Sequence, residues 1–252
     1  MNRKKINPNA HITVEALLNG WSEWGLTLTD RPRVLAPVPG GRTNKNFRLS
    51  APGMESDLLF RLNHPDPARL GIDRALERDI LSLVASAGIG RPCCHWDPDN
   101  RFVLFPFLEG RHWTTADFER PEQRDRLWPM IERLGDISLD RPRRCYGDYL
   151  RHYWSLLVEA GLVDSELEAR WRNFEPELDA FDRAAWSAQL VHHDLIPANV
   201  LDTGTDLYLI DWEYAARGHP DIDIWSVDPA RVRDPFIPKM MGWIIELWER
   251  LI

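Results

Sequence analysis

The chain has 252 residues, of which 44% are apolar and 28% charged, a composition typical of soluble globular proteins rather than of disordered or fibrous ones. Its 31 basic and 39 acidic residues give a formal net charge of −8, which argues against a general binder of nucleic acids or anionic membranes. The three cysteines, Cys93, Cys94 and Cys145, fit neither a disulfide framework nor a zinc motif and indicate a reducing compartment.

Nothing in the sequence indicates a membrane or an export signal. The longest apolar run, residues 102–108, is too short to cross a bilayer and contains Pro106. The basic N-terminal segment continues into Asn, Pro, His and Glu, where a signal peptide needs a continuous apolar region. We therefore expect a cytoplasmic protein, and we predict no membrane, nucleic-acid or protein partner.

The first hundred residues predict a small antiparallel sheet backed by a helix. Apolar residues at helical spacing follow Thr13, a plausible cap, and short runs of Val, Leu and Phe then alternate with Pro and Gly clusters. The predicted elements are a helix over 14–21, strands over 34–38, 47–50 and 57–62, a helix over 72–87, and a strand over 101–107.

After Gly110, helical periodicity dominates for about eighty residues. Two short apolar runs, 189–192 and 207–210, then flank the polar segment HHDLIPANVLDTGTD, and residues 236–252 are again helical in pattern. This change from strand-like to helical periodicity predicts an N-terminal domain over 1–107 and a C-terminal domain over 108–252.

The polar segment and the strand that follows it carry the chemistry. Asp194 stands five residues before Asn199, and Asp211 ends the next apolar run. Phosphoryl transfer from ATP needs such a set, in which Asp194 accepts the hydroxyl proton while Asn199 and Asp211 hold Mg²⁺ against the phosphates. Glu213 is a weaker candidate for a second metal ion or for a contact outside the inner coordination sphere.

These residues resemble the catalytic loop of the aminoglycoside phosphotransferase and choline kinase family. The family's pattern His-x-Asp-x-x-x-x-Asn is matched by His192, Asp194 and Asn199, and its metal-binding Asp by Asp211. The resemblance implies a bilobal, protein-kinase-like α+β fold with a small antiparallel-sheet N-lobe and a mainly helical C-lobe. It also implies ATP and Mg²⁺ as cofactors. His193, between the loop His and Asp, is interpreted as a solvated side chain in preference to a substrate contact.

Segments upstream resemble the family's nucleotide-binding elements in the same order. GGRTNKNF resembles the turn that covers the nucleotide, and LLFRLN resembles the strand that carries a phosphate-binding cation, which is Arg here as in the choline kinase branch. A glutamate on the following helix stands where the ion-pair partner of that cation belongs, and LFPFLEG resembles the hinge whose backbone meets adenine. The residues that this resemblance assigns to nucleotide binding are Gly40, Gly41, Thr43, Asn44, Arg61, Glu77, Phe105 and Phe107.

The resemblance implies a small-molecule kinase. A protein kinase is disfavoured because GxGxxG and A-P-E are absent and DWE stands in place of DFG. LIDWEYA and GGRTNKNF are closer to the thiamine and choline kinase branch than to the antibiotic-modifying one. We predict transfer of the ATP γ-phosphate to a small cationic alcohol, with thiamine as the leading substrate. The alternatives are choline or ethanolamine, an aminoglycoside or sugar, and a catalytically silent nucleotide-binding module.

Twelve tryptophans are an unusual number for this length. A desolvated cation over an indole ring can gain about 2 kcal/mol, so a site for a cationic alcohol would use such rings. For any one tryptophan a core position is the commoner outcome. We nevertheless expect at least one of four to line the acceptor site: Trp154, Trp225, Trp243 and Trp248.

Overall fold

The computed structural model describes residues 13–251, which divide into two compact units. Within the described residues, the first unit comprises 13–65 and 93–108, and the second comprises 66–92 and 109–251. All described residues after Leu108 belong to the second unit, so this boundary is close to the predicted one. The segment 66–92, which was predicted in the N-terminal domain, is grouped with the second unit.

The first unit is a five-stranded antiparallel sheet preceded by a short helix. The strand order is β1-β2-β3-β5-β4. The elements are α1 (Val14–Leu18), β1 (Val34–Val38), β2 (Lys45–Leu49), β3 (Leu58–Leu62), β4 (His95–Trp96) and β5 (Phe102–Pro106). The hydroxyl of Thr13 caps α1 by accepting a hydrogen bond from the Ala16 amide at 3.3 Å. Helix α1 ends earlier than predicted, and Trp21 lies in a separate 3₁₀ turn after Gly20.

The core of the first unit lies on one face of this sheet. Strand β3 is central, and its Phe60 stacks on Phe102 of β5 with ring centroids 4.7 Å apart. Leu18 of α1 and Leu58 of β3 are fully buried in the same cluster. The Val, Leu and Phe runs therefore form strands because each one contributes apolar side chains to a shared buried face.

The second unit is mainly helical. Its helices are α2 (Arg74–Ser86), α3 (Thr115–Glu119), α4 (Pro121–Leu134), α5 (Tyr146–Glu159), α6 (Ser165–Arg183), α7 (Asp221–Val227) and α8 (Phe236–Leu251). Buried side chains of α5, α6 and α8 form one large cluster rich in aromatic rings. None of the helices within residues 13–251 is long and apolar enough to span a membrane.

Five short strands complete the second unit. They are β6 (Arg111–His112), β7 (Gln189–Val191), β8 (Val200–Asp202), β9 (Leu207–Leu209) and β10 (Ala216–Gly218). The predicted runs 189–192 and 207–210 are β7 and β9, but they pair with different strands. Strand β9 pairs with β8 in a sheet of order β6-β8-β9, and β7 pairs with β10. The predicted α+β class, with a small antiparallel sheet and a mainly helical part, is confirmed.

Candidate active site

The loop between β7 and β8 holds Asp194 through the side chain of Asn199. The Asn199 Nδ2 donates to the Asp194 carboxylate Oδ2 at 2.9 Å and to its backbone oxygen at 2.8 Å. Asn199 is buried, whereas Asp194 is half-buried. Because both partners of Nδ2 are acceptors, the orientation of the side-chain amide is fixed. The side-chain oxygen of Asn199 therefore lies on the side of the amide group that faces away from Asp194. The loop therefore orients one carboxylate and one amide oxygen at the same time.

Asp223 on α7 anchors the start of this loop. Its Oδ2 accepts the backbone amide of His192 at 2.8 Å, and its Oδ1 accepts that of His193 at 3.0 Å. The side chain is almost fully buried, and burial raises its pKa to about 7. One buried carboxylate thus fixes the two backbone amides that immediately precede Asp194.

His192 ties the same loop to the strand that leads to Asp211. Its Nε2 lies 2.9 Å from the backbone oxygen of Ile210, which can only accept, so Nε2 carries the proton. Its ring packs against Trp212 with centroids 4.5 Å apart. Burial lowers the pKa of His192 to about 4, so the residue is a neutral structural link at physiological pH.

His193 is not the solvated side chain that we expected, because it is half-buried and both of its ring nitrogens are engaged. The Val191 backbone oxygen accepts from Nδ1 at 3.1 Å, so Nε2 accepts the Tyr146 hydroxyl at 3.0 Å. The Tyr146 oxygen in turn accepts the His219 amide at 2.9 Å. Burial holds the pKa of His193 well below its usual value. A Cβ at Gly218 would lie 2.5 Å from the two bonded side-chain atoms, so only glycine fits there.

Asp211 lies beside Asn199 because their strands are paired. Val200 of β8 is opposite Leu209 of β9, and the Ile210 amide donates to the backbone oxygen of Asn199 at 3.0 Å. Asp211 itself adopts the left-handed conformation, φ 66° and ψ 63°, which is uncommon for residues other than glycine.

The chemistry of these donors fits Mg²⁺. The metal prefers hard oxygen ligands and usually keeps several waters and phosphate oxygens, so one carboxylate and one amide oxygen are a sufficient protein share. Asp211 would supply the carboxylate, and Asn199, whose orientation is fixed, would supply the amide oxygen. In the described part of the chain, no group of three or more His, Cys, Asp or Glu side chains is arranged to hold a metal.

Glu213 and Glu77 share one buried arginine. The Arg74 Nη1 donates to Glu77 Oε2 at 2.6 Å and to Glu213 Oε2 at 3.1 Å. All three side chains are almost fully buried. The arrangement connects α2 to the turn that follows Asp211. Glu213, predicted as a second metal ligand or outer contact, is therefore engaged in an ion pair, and Glu77 has Arg74 as a partner on its own helix.

The predicted nucleotide-covering turn joins β1 to β2. Gly40 has a φ of 117°, and a Cβ at Gly41 would lie 2.2 Å from the Asn44 backbone oxygen, so this tight turn requires both glycines. Thr43 belongs to the same turn. Asn44 is buried, and its side-chain oxygen accepts the His64 amide at 3.1 Å.

Arg61, Phe105 and Phe107 also belong to the first unit. Arg61 lies on β3 and is 5% exposed; its Nε donates to Asn63 Oδ1 at 3.0 Å, and its guanidinium carbon is 5.9 Å from the Phe105 ring centroid. The Phe107 amide donates to the Asp57 oxygen at 2.8 Å, so that amide is already engaged. Arg48 covers the Phe107 ring at 4.2 Å.

All four candidate tryptophans pack in or against the helical cluster of the second unit. Trp154 stacks on Trp171 with centroids 4.7 Å apart, and Trp243 contacts the same ring at 5.4 Å. Trp225 packs against the same cluster. Core packing accounts for Trp154, Trp225 and Trp243 without a ligand.

Trp248 also contacts the turn that follows Asp211. Its Nε1 donates to the Tyr214 hydroxyl at 3.5 Å, and Tyr214 directly follows Glu213. Burial raises the pKa of Tyr214 and of Tyr149 on α5, and the nearby negative charges of Asp194 and Glu213 raise both further. Two tyrosines therefore lie near Asp194.

Asp223 and Tyr146 were not predicted as site residues from the sequence. Asp223 stands between Ile222 and Ile224 in a short helix that was not predicted. A carboxylate at an apolar helical position is the one signal that could have identified it, because a buried charge needs dedicated partners. Tyr146 gave no signal, since nothing in the sequence indicates that it meets His193.

Comparisons with known proteins show which family and which structures the chain is similar to. Residues 34–236 match the model of the phosphotransferase enzyme family. Protein LicA of Haemophilus influenzae is 25% identical over 201 residues, which cover 75% of this chain and 56% of that protein. The chain spans about half the length of the curated relatives that it matches.

Two solved structures share the fold. Choline kinase LicA from Streptococcus pneumoniae has a TM-score of 0.66 at 18% identity, covering 86% of each chain. LicA in complex with AMP has a TM-score of 0.69 at 15% identity, covering 94% of this chain and 89% of that chain. The predicted protein-kinase-like fold is thereby confirmed.

Proposed function

The chain belongs to the phosphotransferase enzyme family, and from that membership we propose that it transfers the γ-phosphate of ATP to the hydroxyl group of a small alcohol. The observation that carries the proposal is the loop in which Asn199, next to the strand that leads to Asp211, holds the Asp194 carboxylate. A proton acceptor and two hard oxygen donors on adjoining strand ends are the protein groups that this reaction requires.

Asp194 is the proposed catalytic base. The acceptor oxygen attacks the γ-phosphorus, the bond from that phosphorus to its bridging oxygen breaks, and ADP leaves. Asp194 takes the hydroxyl proton during the attack, and Asn199 keeps the carboxylate oriented for it. Asp223 holds the two amides before Asp194 and so keeps the loop in place. When bound, Mg²⁺ neutralises negative charge on the phosphates, and Asn199 and Asp211 are the residues that would hold it.

For nucleotide binding we propose the residue roles that were predicted from the sequence. We propose that Arg61 contacts the α- and β-phosphates, and that the β1–β2 turn covers the nucleotide. The hinge residues Phe105 and Phe107 are proposed to contact adenine. The named relatives support nucleotide use, since one solved neighbour is described as a complex with AMP.

For the acceptor we propose an amino alcohol related to choline or ethanolamine. The support is the similarity to choline kinase LicA of Streptococcus pneumoniae, together with Tyr149, Tyr214 and Trp248 near the proposed catalytic loop. Aromatic faces bind ammonium groups. Thiamine, the leading substrate in the sequence analysis, has no support beyond the resemblance and is tested beside the others.

The test is ADP release, measured by a coupled assay against choline, ethanolamine, thiamine, glucosamine and kanamycin. We expect turnover with an amino alcohol. Asp194→Asn should lower the rate by about 10²–10⁴ because general-base assistance is lost, while ATP binding survives. Asp206→Asn, an exposed carboxylate after β8, is the matched control and should retain full activity.

Two results would contradict the proposal. Nucleotide binding without ADP release for any alcohol would identify a silent nucleotide-binding module. Full activity of the Asp194→Asn protein would move the catalytic base elsewhere.

A further inference from the structure

Arg144, two residues before α5, carries a positive charge that no carboxylate of the described chain balances. Its guanidinium carbon lies 4.6 Å above the centroid of the Tyr149 ring. Its Nη1 is buried without a hydrogen-bond partner, although part of the side chain is exposed. Across residues 13–251, no carboxylate lies within ion-pair distance of Arg144 and no acceptor bonds its guanidinium.

Several other arginines of the second unit have a carboxylate or backbone partner. Arg111, Arg126 and Arg170 each form an ion pair with an aspartate or a glutamate. The neighbouring Arg143 also stacks on an aromatic ring, but its guanidinium donates to the backbone oxygens of Asp182 and Ala184. Arginine keeps its charge at any physiological pH, so the buried donor of Arg144 cannot be relieved by losing a proton. Such an uncompensated group is expected where a ligand supplies the partner.

The place of Arg144 is next to the catalytic loop. Two residues further on, Tyr146 bonds His193, which directly precedes Asp194. Burial has the largest effect on the pKa of Tyr149, which it raises, and on that of His193, which it lowers. The charge of Arg144 has the next largest effect and lowers both pKa values, while the charge of Asp194 raises that of Tyr149. Tyr149 is therefore near the catalytic carboxylate and in contact with the unbalanced cation. A small molecule beside Tyr149 would meet both.

We propose that Arg144 binds an anionic group, a carboxylate or a phosphate ester, on the alcohol that this protein phosphorylates. The inference deepens the proposed function and rests on it, because it names a feature of the acceptor. A guanidinium can donate two parallel hydrogen bonds to such a group, which gives both affinity and orientation. Arg144 covers one face of the Tyr149 ring. An ammonium group on the same acceptor would therefore contact the rings of Tyr214 and Trp248.

The test compares alcohols that differ by the anionic group. The pairs are L-serine with ethanolamine, carnitine with choline, and glycerol 3-phosphate with glycerol. Binding is measured by calorimetry in the presence of a non-hydrolysable ATP analogue, and kcat and KM are measured by ADP release. In at least one pair we expect the anionic member to bind about 10- to 100-fold more tightly, the factor typical of hydrogen bonds to charged groups.

Three variants assign the effect to Arg144. Arg144→Gln should abolish the preference and raise KM for the anionic acceptor by about the same 10- to 100-fold, with kcat and the KM for ATP little changed. Arg144→Lys should retain part of it, because lysine keeps the charge without the planar fork. Arg141→Gln removes an exposed arginine paired with Asp79 and should change nothing.

Several outcomes would overturn the inference. These are the absence of any Arg144-dependent difference in all three pairs, or a preference that survives in Arg144→Gln. An equal fall in kcat for both members of a pair would place Arg144 on the transferred phosphoryl group instead. If Arg144-dependent binding is found but no alcohol releases ADP, the proposed function fails and the anion site stands. If choline is phosphorylated and no pair shows a preference for its anionic member, the proposed function stands and the anion site fails.

Discussion

Replacing Asp223 with asparagine exchanges an acceptor for a donor at the point where the catalytic loop is fixed. The two carboxylate oxygens each accept one backbone amide, at 2.8 Å from His192 and 3.0 Å from His193. The asparagine oxygen can accept one of these amides, but its NH₂ group then faces the other. One buried amide is left without a partner, which costs about 1–3 kcal/mol of unfolding free energy. For a chain of this length the melting temperature should fall by roughly 2–12 °C.

The same substitution should reduce activity more than it reduces stability. Asp194 follows the two anchored amides directly, and a displacement of about 1 Å of a catalytic group can lower the rate by about 100-fold. We expect kcat for the preferred alcohol to fall by about this factor in protein that is still folded at the assay temperature. Thermal unfolding followed by circular dichroism and ADP release would be measured on the same samples.

Asp79→Asn is the matched control, because it removes one carboxylate oxygen from an exposed ion pair with Arg141. Such pairs contribute about 0–1 kcal/mol, so both readouts should stay close to those of the unaltered protein. An Asp223→Asn protein with unchanged melting and a kcat within about threefold of the original would refute the anchoring argument.

Three further predictions concern single side chains. Asp211→Ala should abolish Mg²⁺-ATP-dependent turnover, checked by titrating Mg²⁺ in the ADP-release assay; activity with an unchanged metal requirement would place the metal elsewhere. Arg61→Ala should raise the KM for ATP or lower kcat, and unaltered ATP kinetics would contradict its phosphate role. Gly218→Ala would bring a Cβ within 2.5 Å of His193 Nε2 and the Tyr146 hydroxyl. It should lower stability by about 1–3 kcal/mol in chemical denaturation, and a neutral result would disprove the tight packing there.

The local elements, and the proximity of Asn199 to Asp194 and to the strand that leads to Asp211, could be predicted from sequence because their signals are local. Strand β1 lies where the Val and Leu run predicts it, and the helix and strand ends elsewhere differ by a few residues at most in the first unit. The spacing from Asp194 to Asn199 fits a single loop, and Asp211 follows the next strand. Short-range spacing is enough to bring such residues together when a hairpin connects them.

The supports of the site could not be predicted because they depend on contacts between distant segments. Asp223 is about thirty residues from the amides that it accepts, and in sequence it looks like any acidic residue of a helix. Arg144 could be identified only from the structure, in which no carboxylate of the described chain lies within ion-pair distance of it. The pairing of β7 with β10 rather than with β9 is also non-local, since both partners are equally plausible from their residues.

The grouping of residues 66–92 with the second unit makes the two units discontinuous in sequence. The chain leaves the sheet after Pro65 and returns at Cys93, so α2 is encoded inside the first unit but folds with the second. A fragment that starts at Glu109 would lose the Ile89 oxygen that accepts the Leu209 amide at 2.9 Å, and it would leave Glu213 buried without Arg74. The sheet therefore cannot be excised or exchanged as a simple N-terminal cassette. Any chimera or truncation that preserves the catalytic loop has to carry α2 with it.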